Sequence, residues 1–564
     1  MPKTLFLTLI ICLFYSSKVI CQNLNLQIYG NNEIEDHIID SIGYLKFHKN
    51  YASITNEIDS IQNKLYKIGF IESTCSEINK ENDSSFSVKF NLKTKFYTIY
   101  IYYDKTGINP DLIKTVSKKV NPLYFELPIT QIEPVLTVLN TKISDKGFPF
   151  SKLSLANIKT VPNGIIKADL VMNSENQKRH INSITIKGYE KFPKSFLKHY
   201  LKIKPNQTFD LTTIKKKADQ LNNLRFAKQI KSPEVLFTKD STTLYMYIEK
   251  SKSNMFDGFL GFGTNEETNK LDFNGYLNLN LVNNLNFGES FGLQYKSTQG
   301  NQKLFQADVN MPYLFKTPIG VDLQLYIFKQ DSSFTTVNQS IKLNYQINSK
   351  HKLFSGIKSS ESNNLLNTAT TSSISDYKSK FITIAYQFTK PQYYNFLFPV
   401  NATLFLETGF GNRKTSETTE KQTQLNLDAF KIFNFNQKNS VYLRINGSSL
   451  LSDSYFENEL SRFGGINSVR GFNENSILAT SYAFLNTEYR LLLSPTIYIH
   501  SIIDIASFEN KITNTDEKLY AYGFGFGILS KAGLLKLNFA NGKTSNQKFK
   551  FSNSQVHLSL TASF

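Results

Sequence analysis

The stretch VHLSLTASF, Val556 to Phe564, alternates without a break. Val556, Leu558, Leu560, Ala562 and Phe564 fall on one face of an extended strand, and His557, Ser559, Thr561 and Ser563 fall on the other. Successive side chains of a strand point to opposite sides, so this segment separates an apolar from a polar environment. What those environments are depends on how many such strands the chain holds.

Working back from it, KLDFNGYLNLNLVN, SFGLQYKS, KLFQADVNMPY, GVDLQLYIFK, KFITIAYQF, TLFLETGF and SVYLRING all alternate in the same way. From about residue 253 onward there are about 16 candidate strands in roughly 310 residues. An even number of this size lies in the range of single-chain outer-membrane barrels. A membrane strand needs only about 9–11 residues with one apolar face. That reconciles a membrane-spanning chain with a mean hydropathy of -0.29. Such a sheet must close, because hydrocarbon leaves no partner for an open edge. Ending on an aromatic also fits a barrel strand. The soluble alternative is a secreted β-sandwich or jelly roll, which needs neither that terminus nor so many strands in one sheet.

The composition agrees. Among 564 residues there is no Trp, but 46 Phe and 30 Tyr suit packing on pleated surfaces. A formal charge of +18 reads first as lysine-rich solubility and second as affinity for acidic surfaces such as lipid headgroups. No compact basic cluster points to nucleic acid. Lys3 followed by the apolar run Leu5–Tyr15 predicts a cleaved secretory signal over residues 1–22. A lipidated Cys21 is the alternative, and bulky Ile20 before it argues against that. Cleavage there leaves Cys75 as the sole mature cysteine, so neither a disulfide framework nor a cysteine metal site is expected. The 7 His show no metal-ligand spacing, and no Ser-His-Asp set has a recognisable context. The reading is therefore non-enzymatic, with no catalytic residue, metal or cofactor.

Before residue 253 the pattern mixes strands and helices. The clearest unit opens with INSITIKGY (Ile181–Tyr189). A helix near Lys194–Leu201 follows. A second is predicted after Asp210, with Leu211, Ile214, Ala218, Leu221 and Leu224 at helical spacing. Two strands close the unit, from Phe226 and over Leu244–Lys250. The same β-α-α-β-β order fits KFYTIYIYY (Lys95–Tyr103), a helical stretch up to Lys146, and strands near 151–160 and 165–172. It fits less clearly from Leu24 to about Leu92. Phe70, Phe148 and Phe226 each follow the long helix and stand 78 residues apart, the signature of a tandem array. The expected parts are repeats at 23–94, 95–177 and 178–252, then an all-β barrel at 253–564.

Two glycine-rich segments stand out. YGFGFGI (Tyr522–Ile528) lacks the helix that a phosphate loop requires, so it reads as a wall strand with glycine inside and aromatics outside. FGGINSVRGFNENS (Phe463–Ser476) is a polar loop with an arginine at its centre. On physics alone it is equally an internal anchor or a solvent-exposed loop.

The repeat array before a 16-stranded barrel resembles the outer-membrane assembly superfamily of BamA and TamA, with repeats similar to POTRA domains. In that family the loop between the eleventh and twelfth strands folds back into the barrel and carries a Val-Arg-Gly-Phe/Tyr motif. Val469, Arg470, Gly471 and Phe472 match it, in a loop taken as 451–478. The resemblance implies that Arg470 pairs with acids on the inner wall of the following strands. The matching positions are Glu488 and Asp504. Alternation agrees, since Asp504 lies between Ile503 and Ile505, and a carboxylate facing lipid would be costly. The family's seam between first and last strands would here join FDGFLGFG, with Gly258, Gly261 and Gly263, to the strand ending at Phe564. Glycine weakens a strand. From the glycines alone, ordinary variation in a stable seam is the slightly stronger reading, and a weak seam is the alternative.

The implied function is an outer-membrane assembly or translocation factor with its repeats in the periplasm. Its implied partners are unfolded outer-membrane or secreted client proteins, outer-membrane lipids, and periplasmic or inner-membrane accessory proteins. The alternatives are a two-partner-type secretion pore for one dedicated protein and a passive channel or receptor.

Overall fold

The computed structural model describes residues 23–105, 107–173, 177–264, 271–297, 302–366, 373–392, 395, 397–530, 533–545 and 554–563. The expected signal at 1–22 lies outside them. The chain divides into two units, the first ending at His180 and adding Thr208–Leu211, the second holding Ile181–Gln207 and the chain from Thr212 onward.

The first unit contains two α+β layers. Strand Leu24–Tyr29 is followed by helices Glu33–Ile42 and Tyr51–Ile68 and by strand Ser85–Asn91, which lies parallel to the first. The long helix starts at Asn50, whose side chain accepts from the Ser53 backbone N–H in a capping box, and ends at Gly69 with φ 110°. Its Ile54, Ile58, Ile61 and Leu65 recur at helical spacing and are buried against Leu26, Val88 and Phe90. Burying each such side chain contributes about 1.5–3 kcal/mol.

The second layer orders its strands Tyr124–Pro128, Thr98–Tyr102, Ile165–Asn173 and Lys152–Val161. Here the helical stretch expected up to Lys146 is corrected. A short helix, Pro110–Lys114, is followed by the strand Tyr124–Pro128 before the long helix Ile132–Ser144. The segment YFELP alternates, and its Phe125 and Leu127 are buried, so period two wins over five residues.

The second unit opens with a sheet in which Ser183–Gly188 runs parallel to Thr242–Lys250, with Ala227–Phe237 antiparallel on the outside. Phe196–Tyr200 forms a π-helical turn, and Leu211–Ala218 an α-helix. Leu224 does not join that helix as expected. The chain tightens to a 3-10 turn over Asp219–Asn223, and Leu224 is already extended at ψ 131°, because the strand begins at Ala227.

This sheet packs directly on the β-structure that follows. The Tyr189 hydroxyl donates to Asn286 Oδ1 at 2.7 Å and accepts from Asn283 Nδ2 at 2.7 Å. Phe196 meets Tyr313 edge to face at 4.9 Å, and His199 Nε2 lies 2.9 Å from the Lys316 carbonyl oxygen.

From Met255 to Ser563, 16 strands pair as antiparallel neighbours and close into a barrel. Alternation decides which side chains face out. On the eighth strand (Tyr377–Pro391), Ile382 and Ile384 are exposed by 66% and 58%, whereas Thr383 between them is buried. On the ninth (Val400–Lys414), Leu406 and Phe410 face out, whereas Glu407 and Arg413 are buried inside. The outer wall is thus apolar and the inner wall polar, the arrangement a bilayer imposes.

Candidate functional site

The loop with the central arginine lies between the eleventh strand, Asn439–Leu451, and the twelfth, Ser481–Ser494. It is a hairpin in its own right. Ser461–Phe463 pairs antiparallel with Ile477–Ala479, which alternation over three residues is too short to announce. Gly464, Gly465 and Gly471 have φ of 109°, 100° and 86°, a region where any Cβ is strained. The turn is tightened by the Gly464 N–H, which donates to Ser468 Oγ at 2.7 Å.

Val469 is fully buried in a cluster with Phe463, Ala479, Phe484, Ala506, Leu519 and Ala521, and Phe472 packs against the same cluster. Gly471 rests on the fifteenth strand, Gly533–Thr544. A Cβ on Gly471 would fall 2.4 Å from the Gly542 nitrogen, and one on Gly542 would fall 2.6 Å from the Gly471 oxygen. Two glycines from remote segments therefore permit a backbone-to-backbone approach. Gly542 escaped the sequence reading because nothing in its strand marks the loop above it.

The structure brings Arg470 onto both expected carboxylates. Its Nε donates to Asp504 Oδ2 at 2.9 Å, its Nη2 to Asp504 Oδ1 at 2.5 Å, and its Nη1 to Glu488 Oε1. The Arg470 backbone N–H also donates to Asp504 Oδ2, at 2.9 Å. Glu488 is shared, because Arg490 Nε donates to its Oε2 at 2.8 Å. Arg490 in turn sits over the rings of Phe398 and Tyr442, 4.2 and 4.0 Å from their centroids. Asn486 Nδ2 donates to the Ser468 carbonyl at 2.7 Å. All four charged groups are buried.

Burial of one ion in a low-dielectric wall is costly unless its charge and hydrogen bonds are met. Two guanidinium groups against two carboxylates give balance, and the planar fork of arginine suits the carboxylate of Asp504. The arrangement holds a loop on a wall. Among the described residues no group of His, Cys, Asp and Glu is placed to hold a metal ion.

The seam is the second candidate. Gly258, Gly261 and Gly263 lie on the first strand, Met255–Thr264, and Phe564 lies outside the described residues. Among the described residues the first strand meets the last only through Met255 with Ser563 and Phe256 with Ala562. By contrast, its other edge pairs continuously from Met255 with Asn280 to Thr264 with Leu271.

Comparison with known proteins places this architecture. The family model described as the surface antigen variable number repeat, a POTRA domain, matches residues 179–251. BamA from Haemophilus ducreyi lacking POTRA domains 1–3 superposes with a TM-score of 0.50 at 13% identity, over 82% of this chain and 99% of that one. CdiB from Escherichia coli gives 0.51 at 14% identity, over 90% and 98% of the two chains, and CdiB from Acinetobacter baumannii gives 0.51 at 14%, over 84% and 91%. No curated protein matches the chain in sequence. The chain has the fold of BamA and CdiB, with POTRA-like sheets followed by a 16-stranded barrel.

Proposed function

We propose that this chain is an outer-membrane assembly factor. Its three N-terminal repeats lie in the periplasm and receive unfolded client polypeptides. Its barrel then helps them into the membrane at the seam between the first and last strands. The observation that carries the reading is the ladder at that seam, which among the described residues is short, pairing Met255 with Ser563 and Phe256 with Ala562. A strand edge with few partners can template an incoming strand. The exposed apolar side chains of the outer wall, such as Ile382 and Phe410, support a lipid environment.

In this reading the loop at Arg470 is an internal latch that keeps the lumen filled while the seam works. Client folding drives the process, and the reading assigns no catalysis, cofactor or nucleic acid to the chain. Accessory proteins of the periplasm or inner membrane would deliver the clients.

The test is a seam lock. Phe256→Cys with Ala562→Cys, in a Cys75→Ser background, can be joined by oxidation. The reading expects client insertion into liposomes to stop on oxidation and to return on reduction. Full insertion activity in the oxidised, cross-linked protein would contradict it.

A further inference from the structure

The loop that carries Arg470 has a second attachment, in the segment before its hairpin. Arg413 on the ninth strand is 1% exposed, and its side chain is among the largest that are fully buried. Its Nη1 donates to Glu459 Oε1 at 2.5 Å and to the Ser454 carbonyl at 3.2 Å. Its Nη2 donates to Glu420 Oε2 at 2.7 Å and to Ser454 Oγ at 2.6 Å. The guanidinium also lies 4.1 Å from the centre of the Phe456 ring. Glu420 is the register partner of Arg413 on the neighbouring strand, whereas Ser454, Phe456 and Glu459 all belong to the loop.

The neighbouring loop residue extends this attachment. Asn458 Nδ2 donates to Ser362 Oγ and to the Ser375 carbonyl, each at 2.8 Å, and the Tyr377 hydroxyl donates to the Asn458 carbonyl at 3.3 Å. Glu459 accepts additionally from the Phe456 backbone N–H and from Gln422 Nε2. The limb before the hairpin is therefore fixed to the wall of strands seven to ten. The turn of the hairpin is fixed by Arg470 to strands twelve and thirteen. Among the described residues the two charged networks share none.

We propose that Arg413 is a second clamp on the inward loop, working through Glu459, and that freeing the lumen requires both clamps to break. This rests on the reading of the loop as an internal latch. Arginine suits the position because one planar fork serves two carboxylates and two serine oxygens at once. A lysine ammonium reaches fewer of them, so Arg413→Lys should hold the loop only in part.

The test is single-channel recording of the purified full chain in planar bilayers, with heat-modifiable migration as the check of barrel folding. Glu459→Gln keeps the shape but removes the charge. It should raise the ratio of open to closed time by at least about tenfold, since a buried guanidinium loses a charged partner. Arg413→Lys should fall between it and the native chain. Because the networks are separate, Glu459→Gln and Arg470→Ala together should give the product of their separate effects. Folded Glu459→Gln and Arg413→Lys barrels with the native ratio would overturn the clamp. If Arg470→Ala alone then raises the ratio, the Arg470 latch stands without it. If Arg470→Ala also changes nothing, the loop does not close the lumen and both readings fall. Should Arg413→Lys fail to fold, Glu459→Gln and Ser454→Ala carry the same test.

Discussion

Arg470 holds Asp504 with its backbone as well as its side chain: the amide N–H and Nε both reach Oδ2 at 2.9 Å. The loop backbone and the guanidinium are thus fixed by one carboxylate on the opposing strand. Asp504→Ala should cost about 3–5 kcal/mol, because it leaves a buried guanidinium with half its charge partners gone. Arg470→Lys should recover only part of an Arg470→Ala loss, since a compact ammonium lacks the planar fork that grips both oxygens of Asp504 while reaching Glu488. Unfolding in detergent, followed by heat-modifiable migration, measures both.

Exchanging the charges of Arg470 and Glu488 should fail as a rescue. Glu488 already accepts from Arg490 at 2.8 Å, and Arg470 already serves Asp504. Arg470→Glu with Glu488→Arg would set like charges against both remaining partners. The double variant should be no more stable than the worse single variant in the same unfolding assay. A double variant restored to native stability would show that the pair acts alone.

Gly471→Ala and Gly542→Ala should each destabilise the loop, by about 1–3 kcal/mol for overpacking, with added strain at Gly471 where φ is 86°. Because each glycine makes room for the other, the double variant should be non-additive. Limited proteolysis of the loop and thermal unfolding would show this.

The joint between the third repeat and the barrel should respond to pH. Burial holds the His199 imidazole below its ordinary value, the Lys316 carbonyl pulls it back up, and Lys198 and Lys202 push it further down. A group whose folded pKa is depressed contributes stability at high pH. That stability is present above the unfolded value of 6.5 and is lost as pH falls through it toward the lower folded value. Hydrogen-exchange protection over Phe196–Tyr200, taken relative to the intrinsic exchange rate at each pH, should therefore fall below about pH 6.5, and His199→Gln should flatten the profile. Tyr189→Phe should loosen the same joint at every pH by about 1–3 kcal/mol, because it leaves the fully buried Asn283 amide without its hydroxyl partner.

The barrel was legible because each strand divides two media, so period two runs through nearly every segment from Met255 onward. Glu488 and Asp504 were legible for the same reason, as carboxylates in strands whose other face is apolar. Their contact with Arg470 came from a family motif, since nothing local ties residue 470 to residue 504. Tyr124–Pro128 was hidden because five residues between helices give a weak period. The stack of Arg490 on Phe398 and Tyr442, the approach of Gly471 to Gly542, and the grip of Arg413 on Glu459 depend on closure and register across distant strands. No local pattern encodes them.

The most direct test of the proposed function is depletion of this protein in its own cell, followed by quantitative comparison of the outer-membrane and secreted fractions. The account predicts that several unrelated barrel proteins fall together in the outer-membrane fraction. Loss of one secreted protein with the barrels intact would contradict it and identify a dedicated secretion pore.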